Sequence, residues 1–176
     1  MKFILTVAGS RAGLEFFHSL LDGHSQILQF PGVLRGNIKL KELLHLENPD
    51  EISQKFISDY KHFFDSRYYN PGESASLDRH DQLGDKRNEY YKVSKKKFLI
   101  QFKNLSKKRK SKNIMINNLI NLHKAYALSC GCNIKKKKII IINTHIIEYL
   151  KFYDKYIFKK KNFEIIHTIR HPLSAL

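Results

Sequence analysis

The sequence is poor in features that mark several common classes of protein. Its two cysteines, Cys130 and Cys132, are accompanied by no second pair and no nearby group of histidines. A structural zinc site takes about four such ligands, so we expect two reduced thiols without a metal. The apolar run that begins at Phe3 is too short for a membrane span and does not resemble a secretory signal. These absences predict a soluble, cytoplasmic protein without membrane insertion.

Acidic residues are scarce in the second half of the chain, which makes the charge distribution lopsided. Residues 1–85 contain nine Lys and Arg against twelve Asp and Glu, whereas residues 86–176 contain 23 against four, and the formal net charge is +16. Lysine-rich runs lie at 95–97, 107–110 and 135–138. A surface of this charge attracts anionic nucleotides, acidic glycans or RNA, but lysine runs are more often simply solvated. Composition leaves both explanations open.

The N-terminal segment has the pattern of a strand, a loop and an amphipathic helix. Phe3 to Val7 form a short apolar run that is typical of a buried parallel strand. After a loop of small residues, a helix is predicted from about Ala12 to a stop at Gly23. Its predicted packed face consists of Phe16, Phe17, Leu20 and Leu21. The free amides at such a helix start favour a bound anion.

The loop of this segment does not match the phosphate-binding loop of nucleoside triphosphatases. Gly9 and Gly13 are four residues apart, one fewer than that motif requires, and Leu14 stands where the motif has lysine. Arg11 lies between the two glycines instead. A guanidinium at this place predicts a bidentate contact with phosphate or sulfate oxygens that requires no metal.

The same pattern recurs near the C-terminus. Residues 138–143 and 163–169 are apolar runs of strand type, followed by Thr144-His145 and by Arg170-His171-Pro172 respectively. The helix after the first run carries a predicted apolar stripe of Ile146, Ile147, Leu150, Tyr153 and Ile157. Alternating strands and helices predict an α/β fold with a parallel sheet, in which the three polar loops converge at one edge.

Three short blocks give the chain a resemblance to a known family. They read GSRAGLEFFHSLLDGH after the first strand, IINTH at the end of the second and IIHTIRHP at the end of the third. They resemble the Pro-Arg/Lys-Ser-Gly-Thr-Thr loop, the Lys-Thr-His motif and the Arg-Asp/Asn-Pro motif of sulfotransferases that use 3′-phosphoadenosine 5′-phosphosulfate (PAPS). The resemblance implies one domain over residues 1–176, with a three-layer fold of a P-loop-like parallel sheet and flanking helices.

The resemblance also implies a role for each matching residue. Arg11 would contact the 5′-phosphosulfate and stabilise charge on the leaving phosphate, and Arg170 would contact the 3′-phosphate. His145 would be the catalytic base that takes the proton of the acceptor hydroxyl. The phosphosulfate cradle would be completed by the backbone amides of Ala12, Gly13, Leu14, Glu15 and Phe16. PAPS is the implied sulfuryl donor, without a metal, and the implied acceptor is a hydroxyl of a carbohydrate or glycolipid.

The chain departs from the family pattern at several positions. Leu14 and Glu15 replace two hydroxyl residues of the loop, and Asn143 replaces the lysine of Lys-Thr-His. The family's serine, about two helical turns after the second arginine, has no counterpart before Leu176. We therefore expect a divergent sulfotransferase domain that is incomplete at its C-terminus. Two alternatives stay open: a non-catalytic basic domain that binds an acidic glycan or, less expected, RNA, and an inactive truncated remnant.

The middle of the chain is predicted to be helical scaffold. Asn48-Pro49 has the pattern of a helix start, and further helices are predicted from about residue 94 and over about residues 111–129. Residues 71–88 are predicted to form a polar loop. Its Asp78, His80, Asp81 and Asp85 have a spacing that matches no metal site.

Overall fold

A computed structural model of the chain describes residues 1–8, 13–68, 85–86, 88–107, 113–159 and 163–169, with the side chains of Glu15 and His145 excepted. Within these residues one sheet contains four strands in the order β2-β3-β1-β4. All three strand pairings are parallel. The predicted α/β class, with a parallel sheet flanked by helices, is confirmed.

The strands lie close to where the apolar runs predict them. β1 spans Lys2–Ala8, β3 spans Ile139–His145 and β4 spans Glu164–Thr168. β2, Ile27–Leu28, is only two residues long and was not predicted. β1 lies between β3 and β4, so the first strand of the chain is paired with the last two.

Five helices come from the middle of the chain and share the main core. They are α2 (Ile38–His45), α3 (Pro49–Asp59), α4 (Lys61–Phe64), α5 (Lys95–Ser106) and α6 (Ile114–Ser129). The predicted helix starts are confirmed at Asn48, whose Oδ1 accepts a bond from Asp50 N–H at 2.9 Å, and at Ser94, whose Oγ accepts one from Lys97 N–H. The helix predicted over about residues 111–129 is α6. It starts at Ile114, later than predicted, because the side chain of Asn113 caps it.

Aromatic rings fill the space between these helices and the sheet. Phe30 follows β2, and its ring stacks on that of Phe63 at 5.0 Å between centroids. Phe56 of α3 stacks on Phe98 of α5 at 5.7 Å. All four rings are fully or almost fully buried, and they join the helical layer to the inner face of β1, β2 and β3.

The last helix returns the chain from β3 to β4. α7 spans Ile147–Phe152 and continues as a π-helical segment, Tyr153–Phe158. Tyr153 and Ile157 are completely buried, as the predicted stripe requires, but Ile147 is 52 % exposed. The stripe is therefore wrong for its first turn, because α7 begins at the rim of the sheet rather than over its centre.

The packed face predicted for the first helix is also wrong. α1 spans only Leu14–Ser19, and its inward side chains are Leu14 and His18, which are 3 % and 4 % exposed. Phe16 and Leu20 are mostly exposed. Leu20 continues the helical backbone, with its N–H bonded to the Phe16 carbonyl oxygen at 3.2 Å, so these two side chains share a face that points away from the core.

Candidate functional site

The carboxyl ends of three neighbouring strands meet at one edge of the sheet. β1 is paired with β3 up to the partners Val7 and His145, and with β4 up to the partners Ala8 and Thr168. Neighbouring strands are about 4.8 Å apart, so the segments that follow β1, β3 and β4 leave the sheet side by side. Ligands of open parallel sheets bind at such an edge, which we call the carboxyl edge.

A bulge at the end of β3 sets the position of His145. The pairing shifts between Thr6 and Val7, so that β3 has one additional residue, Thr144, before His145 faces Val7. The buried Thr144 hydroxyl donates to the Thr6 carbonyl oxygen over 2.6 Å. The N–H of Ile146 donates to the Thr144 carbonyl oxygen over 2.7 Å. These bonds hold the backbone on both sides of His145 at the carboxyl edge.

Asn143 lies inside the protein rather than at the open edge. It is 2 % exposed, and its carbonyl oxygen accepts a hydrogen bond from Leu34 N–H at 3.0 Å. The resemblance places lysine at this position. A lysine here would have to bury its ammonium group or displace its neighbours, which is costly without a charged partner. Burial therefore gives a physical reason for the uncharged residue.

The turn into α1 begins beside the same edge. Gly13 precedes α1 with φ at 74°, a left-handed conformation that favours glycine. A Cβ atom added at Gly13 would meet nothing within 4 Å, so the backbone here is open to approach. The next residue, Leu14, turns its side chain into the core. Only its backbone amide remains available for the predicted contact.

The predicted site residues are not all within the described part of the chain. Arg11, Ala12 and Arg170 lie outside it, and so do Asp78, His80 and Asp81. Gly13 is the residue before α1, and the helix begins with Leu14, Glu15 and Phe16. His145 is the last residue of β3. The structure therefore brings together the ends of the three strands at which these loops were predicted, while the contacts of both arginines stay predictions.

A cleft of about 450 Å³ opens at the carboxyl edge between β1, β4 and the start of α7. Its walls are mostly apolar, and Glu148 and His167 add two titratable groups. The lining residues are Val7, Ala8, Ile146, Ile147, Glu148, Leu150, Ile165 and His167. A volume of this size is within the usual range for small-molecule sites, about 300–1,000 Å³.

Sequence reasoning missed the β4 side of this cleft. Ile165 and His167 lie on β4 and are paired with Leu5 and Val7 of β1. Both side chains are exposed, which the apolar run around them does not suggest. Their spacing of two residues is the available signal, because alternate residues of a strand share one face.

The described residues also include potential metal ligands and two cysteines. No group of three or more potential metal-binding side chains comes together among them. Cys130 and Cys132 form no disulfide, and burial raises the pKa of the Cys130 thiol to about 11. Nor does any helix in the described ranges have both the length and the apolar character needed to cross a bilayer.

Comparison of the chain with family models, with curated proteins and with solved structures found no match in any of the three.

Proposed function

We propose that this protein binds PAPS across its carboxyl edge and transfers the sulfuryl group to an acceptor hydroxyl of a carbohydrate or glycolipid. The observation that carries the proposal is the common edge of β1, β3 and β4. Each of these strands leads into one of the three sequence blocks that resemble the sulfotransferase motifs. The blocks are far apart in the sequence, and the parallel pairing of the three strands aligns their carboxyl ends at one edge.

Chain connectivity supports a shared ligand for the two arginines. Ala8 and Thr168 are partners in the β1–β4 pair. Arg11 is the third residue after Ala8, and Arg170 is the second after Thr168. A residue extends the chain by at most about 3.6 Å, so these separations are short enough for the contacts that the proposal assigns to both arginines. A nucleotide with phosphates at its 3′ and 5′ positions offers both of them a ligand.

The described residues fit this ligand in two respects. The backbone at Gly13 is open to approach, as a phosphosulfate in contact with main-chain amides requires. The adjacent cleft has room for a small acceptor group, with Glu148 and His167 available for hydrogen bonds to its hydroxyls. PAPS supplies the activated sulfuryl group, and the protein supplies orientation and charge stabilisation.

In the proposed reaction the oxygen of the acceptor attacks sulfur, and the bond between sulfur and the 5′-phosphate oxygen breaks. His145 takes the proton of the attacking hydroxyl, and the electron pair of the broken bond stays on the phosphate. Arg11 stabilises that negative charge, and Arg170 holds the nucleotide at its 3′-phosphate. An imidazole suits the role of base, because its ordinary pKa of about 6.5 is close to neutral pH.

Thermal unfolding with added nucleotide tests the binding step. We expect 3′-phosphoadenosine 5′-phosphate to raise the Tm clearly more than the same concentration of ATP does. Arg11→Ala and Arg170→Ala should each remove most of that shift, because each deletes the guanidinium of one phosphate contact. Lys96→Ala is the matched control, since it removes one positive charge from an exposed position on α5, a helix that packs on α3 and α6.

Equal shifts with both nucleotides would count against the proposal, as would full retention of the shift in both arginine variants. Loss of the shift in Lys96→Ala to the same extent would show general charge attraction instead. The transfer step is then tested with ³⁵S-labelled PAPS and polysaccharide or glycolipid acceptors. His145→Ala should abolish label transfer while it preserves the nucleotide-dependent Tm shift.

A further inference from the structure

The opposite, amino edge of the sheet gathers lysines from two separate parts of the chain. Lys2 begins β1, and its N–H donates to the carbonyl oxygen of Lys138 over 2.9 Å. Lys138 directly precedes β3, and its own N–H donates to Gln26, just before β2. The starts of β1, β2 and β3 are thus level with one another. We call the lysines there, Lys2 and Lys135, Lys136, Lys137 and Lys138, the basic edge.

A tight turn presents two of these lysines to solvent. The N–H of Lys137 donates to the carbonyl oxygen of Ile134 at 3.2 Å, and the Asn133 side chain accepts from Lys135 N–H at 2.9 Å. Lys135 and Lys136 therefore occupy the corner of the turn, where both are exposed. These two hydrogen bonds hold the backbone of the turn, so Lys135 and Lys136 have a defined position at this edge of the sheet.

Little negative charge compensates the basic edge. Glu164 at the start of β4 forms an ion pair with Lys2 at 2.6 Å, and it is the one described carboxylate that pairs with a lysine of this edge. Lys137 donates to the carbonyl oxygen of His24 at 2.6 Å, which leaves its charge uncompensated. Lys135 and Lys136 at the corner of the turn are exposed, and so is Lys138. The surface retains a concentrated positive potential.

We propose that the basic edge is a binding site for an acidic polysaccharide. This site is separate from the carboxyl edge, and it does not depend on the proposed transfer reaction. A linear chain with a carboxylate or sulfate on successive sugars can lie across the strand starts and contact the lysines in turn. Attraction of this kind is electrostatic and falls steeply with salt.

The shape and composition of the edge favour a glycan over RNA. The starts of three neighbouring strands span about 10 Å, whereas modules that read double-stranded RNA span about 16 base pairs. Binding of single-stranded RNA relies on aromatic platforms for its bases. The basic edge and residues 24–27 beside it contain no Phe, Tyr or Trp, and the single ring there is that of His24, which could stack on one base at most. The basic edge is thus a compact group of positive charges. Such a group suits a flexible acidic glycan better than RNA.

Two triple variants of the full-length protein test this site. The first is Lys135→Gln/Lys136→Gln/Lys138→Gln, and the second is Lys95→Gln/Lys96→Gln/Lys97→Gln at the start of α5. Both remove three positive charges from exposed positions, so they have the same net charge. The probes are fluorescent heparin, a 20-base-pair RNA duplex and vesicles of phosphatidylcholine with phosphatidylserine, the duplex being longer than the about 16 base pairs that such modules read.

We expect the wild-type protein to bind heparin more tightly than the other two probes. The basic-edge variant should bind heparin about a hundredfold more weakly, because a lysine close to a polyanionic surface contributes about 1 kcal/mol. The α5 variant should change little. Equal weakening in both variants would overturn the proposal in favour of net charge, and tighter binding of RNA or vesicles would overturn the assigned partner. Unchanged thermal unfolding of both variants serves as the control for folding.

Discussion

At the scale of single residues, His123 shows how burial controls the charge of a side chain. It is 1 % exposed, its ring centroid lies 4.0 Å from that of Phe30, and its Nδ1 is 2.8 Å from the Leu119 carbonyl oxygen. Burial lowers the pKa of this imidazole to about 4. The folded protein therefore holds His123 neutral across the range in which an unfolded histidine, with a pKa of about 6.5, takes up a proton.

This difference predicts a loss of stability in mild acid. Well above pH 6.5 His123 is neutral in both the folded and the unfolded protein. A further rise in pH therefore does not change its contribution to the free energy of unfolding. Below pH 6.5 the unfolded state binds the extra proton, and stability falls until about pH 4, where folded His123 also titrates. Between pH 7 and pH 5 we expect a loss of about 2 kcal/mol from this group. Urea unfolding at both pH values measures it.

The comparison with His123→Gln isolates the group. That variant should lose clearly less stability between the two pH values than the wild type. His45→Gln, at an exposed histidine on α2, should lose as much as the wild type. An identical loss in all three proteins would show that other titrations, and not His123, set the acid response.

At the scale of elements, a close contact holds one wall of the cleft in place. The loop that precedes α2 packs against α7. A Cβ atom added at Gly36 would lie 2.8 Å from the Tyr149 carbonyl oxygen and 3.0 Å from the Phe152 ring. The same loop accepts a hydrogen bond from the Tyr153 hydroxyl at the Leu34 carbonyl oxygen, at 2.9 Å. This close approach requires glycine and holds α7, which carries Ile147 and Leu150 of the cleft.

Gly36→Ala should therefore destabilise the protein by about 1–3 kcal/mol, the usual cost of forcing an extra carbon into a packed site. Gly32→Ala in the same loop is the matched control. Its one close contact would be the ring edge of Phe63 at 3.3 Å, which is longer than the two closest contacts at Gly36 and involves no backbone atom, so the loss should be smaller. Urea unfolding of the two variants decides the point, and equal losses would contradict the proposed contact with α7.

At the scale of the whole molecule, the net charge of +16 is the dominant electrostatic feature. Among the described residues, ion pairs join only a few lysines and arginines to carboxylates. The remaining positive charges repel one another more strongly in the compact state than in the unfolded chain. Salt weakens that repulsion because the screening length falls to about 10 Å at 0.1 M.

We therefore expect NaCl to stabilise the protein. Raising its concentration from about 0.02 M to about 0.3 M should increase stability by about 1 kcal/mol, or about 2–4 °C in Tm for a domain of this size. Sodium chloride is preferred to sulfate, because sulfate could also occupy the proposed phosphosulfate site. A Tm that is constant or falls over this range would show that self-repulsion does not limit stability.

The elements that sequence predicts well are those with local signals. The runs at Phe3 and Ile139 are apolar except for Thr6. The start of α3 is marked by the Asn48 side chain, which caps the helix, and by Pro49 in its first turn. β2 could not be predicted in this way, because two residues have no periodicity and its pairing with β3 is a tertiary contact. The inward face of α1 was missed because Leu14 and His18 pack into the protein, and the choice of this face over that of Phe16 depends on tertiary contacts.

For the candidate site, sequence predicts the edge better than the cleft. His145 is placed at a strand end by the pattern around it, and the structure agrees. The β4 wall depends on which strands are neighbours, and neither Ile165 nor His167 signals that its neighbour is β1. Glu148 belongs to the cleft because α7 begins at the rim of the sheet, a position that local periodicity does not report.

The place of β1 in the sheet has a consequence for biosynthesis. Thr6 bonds to the Ile142 carbonyl oxygen, 136 positions later in the chain, and β4 is later still. β1 thus leaves the ribosome well before either of its partner strands, and contacts of such long range slow folding. Helices α2 to α6 can assemble earlier, but a nascent chain released before residue 139 leaves β1 without either neighbour. A stop codon at any position between β1 and β3 therefore yields a product in which β1 has neither of its partner strands.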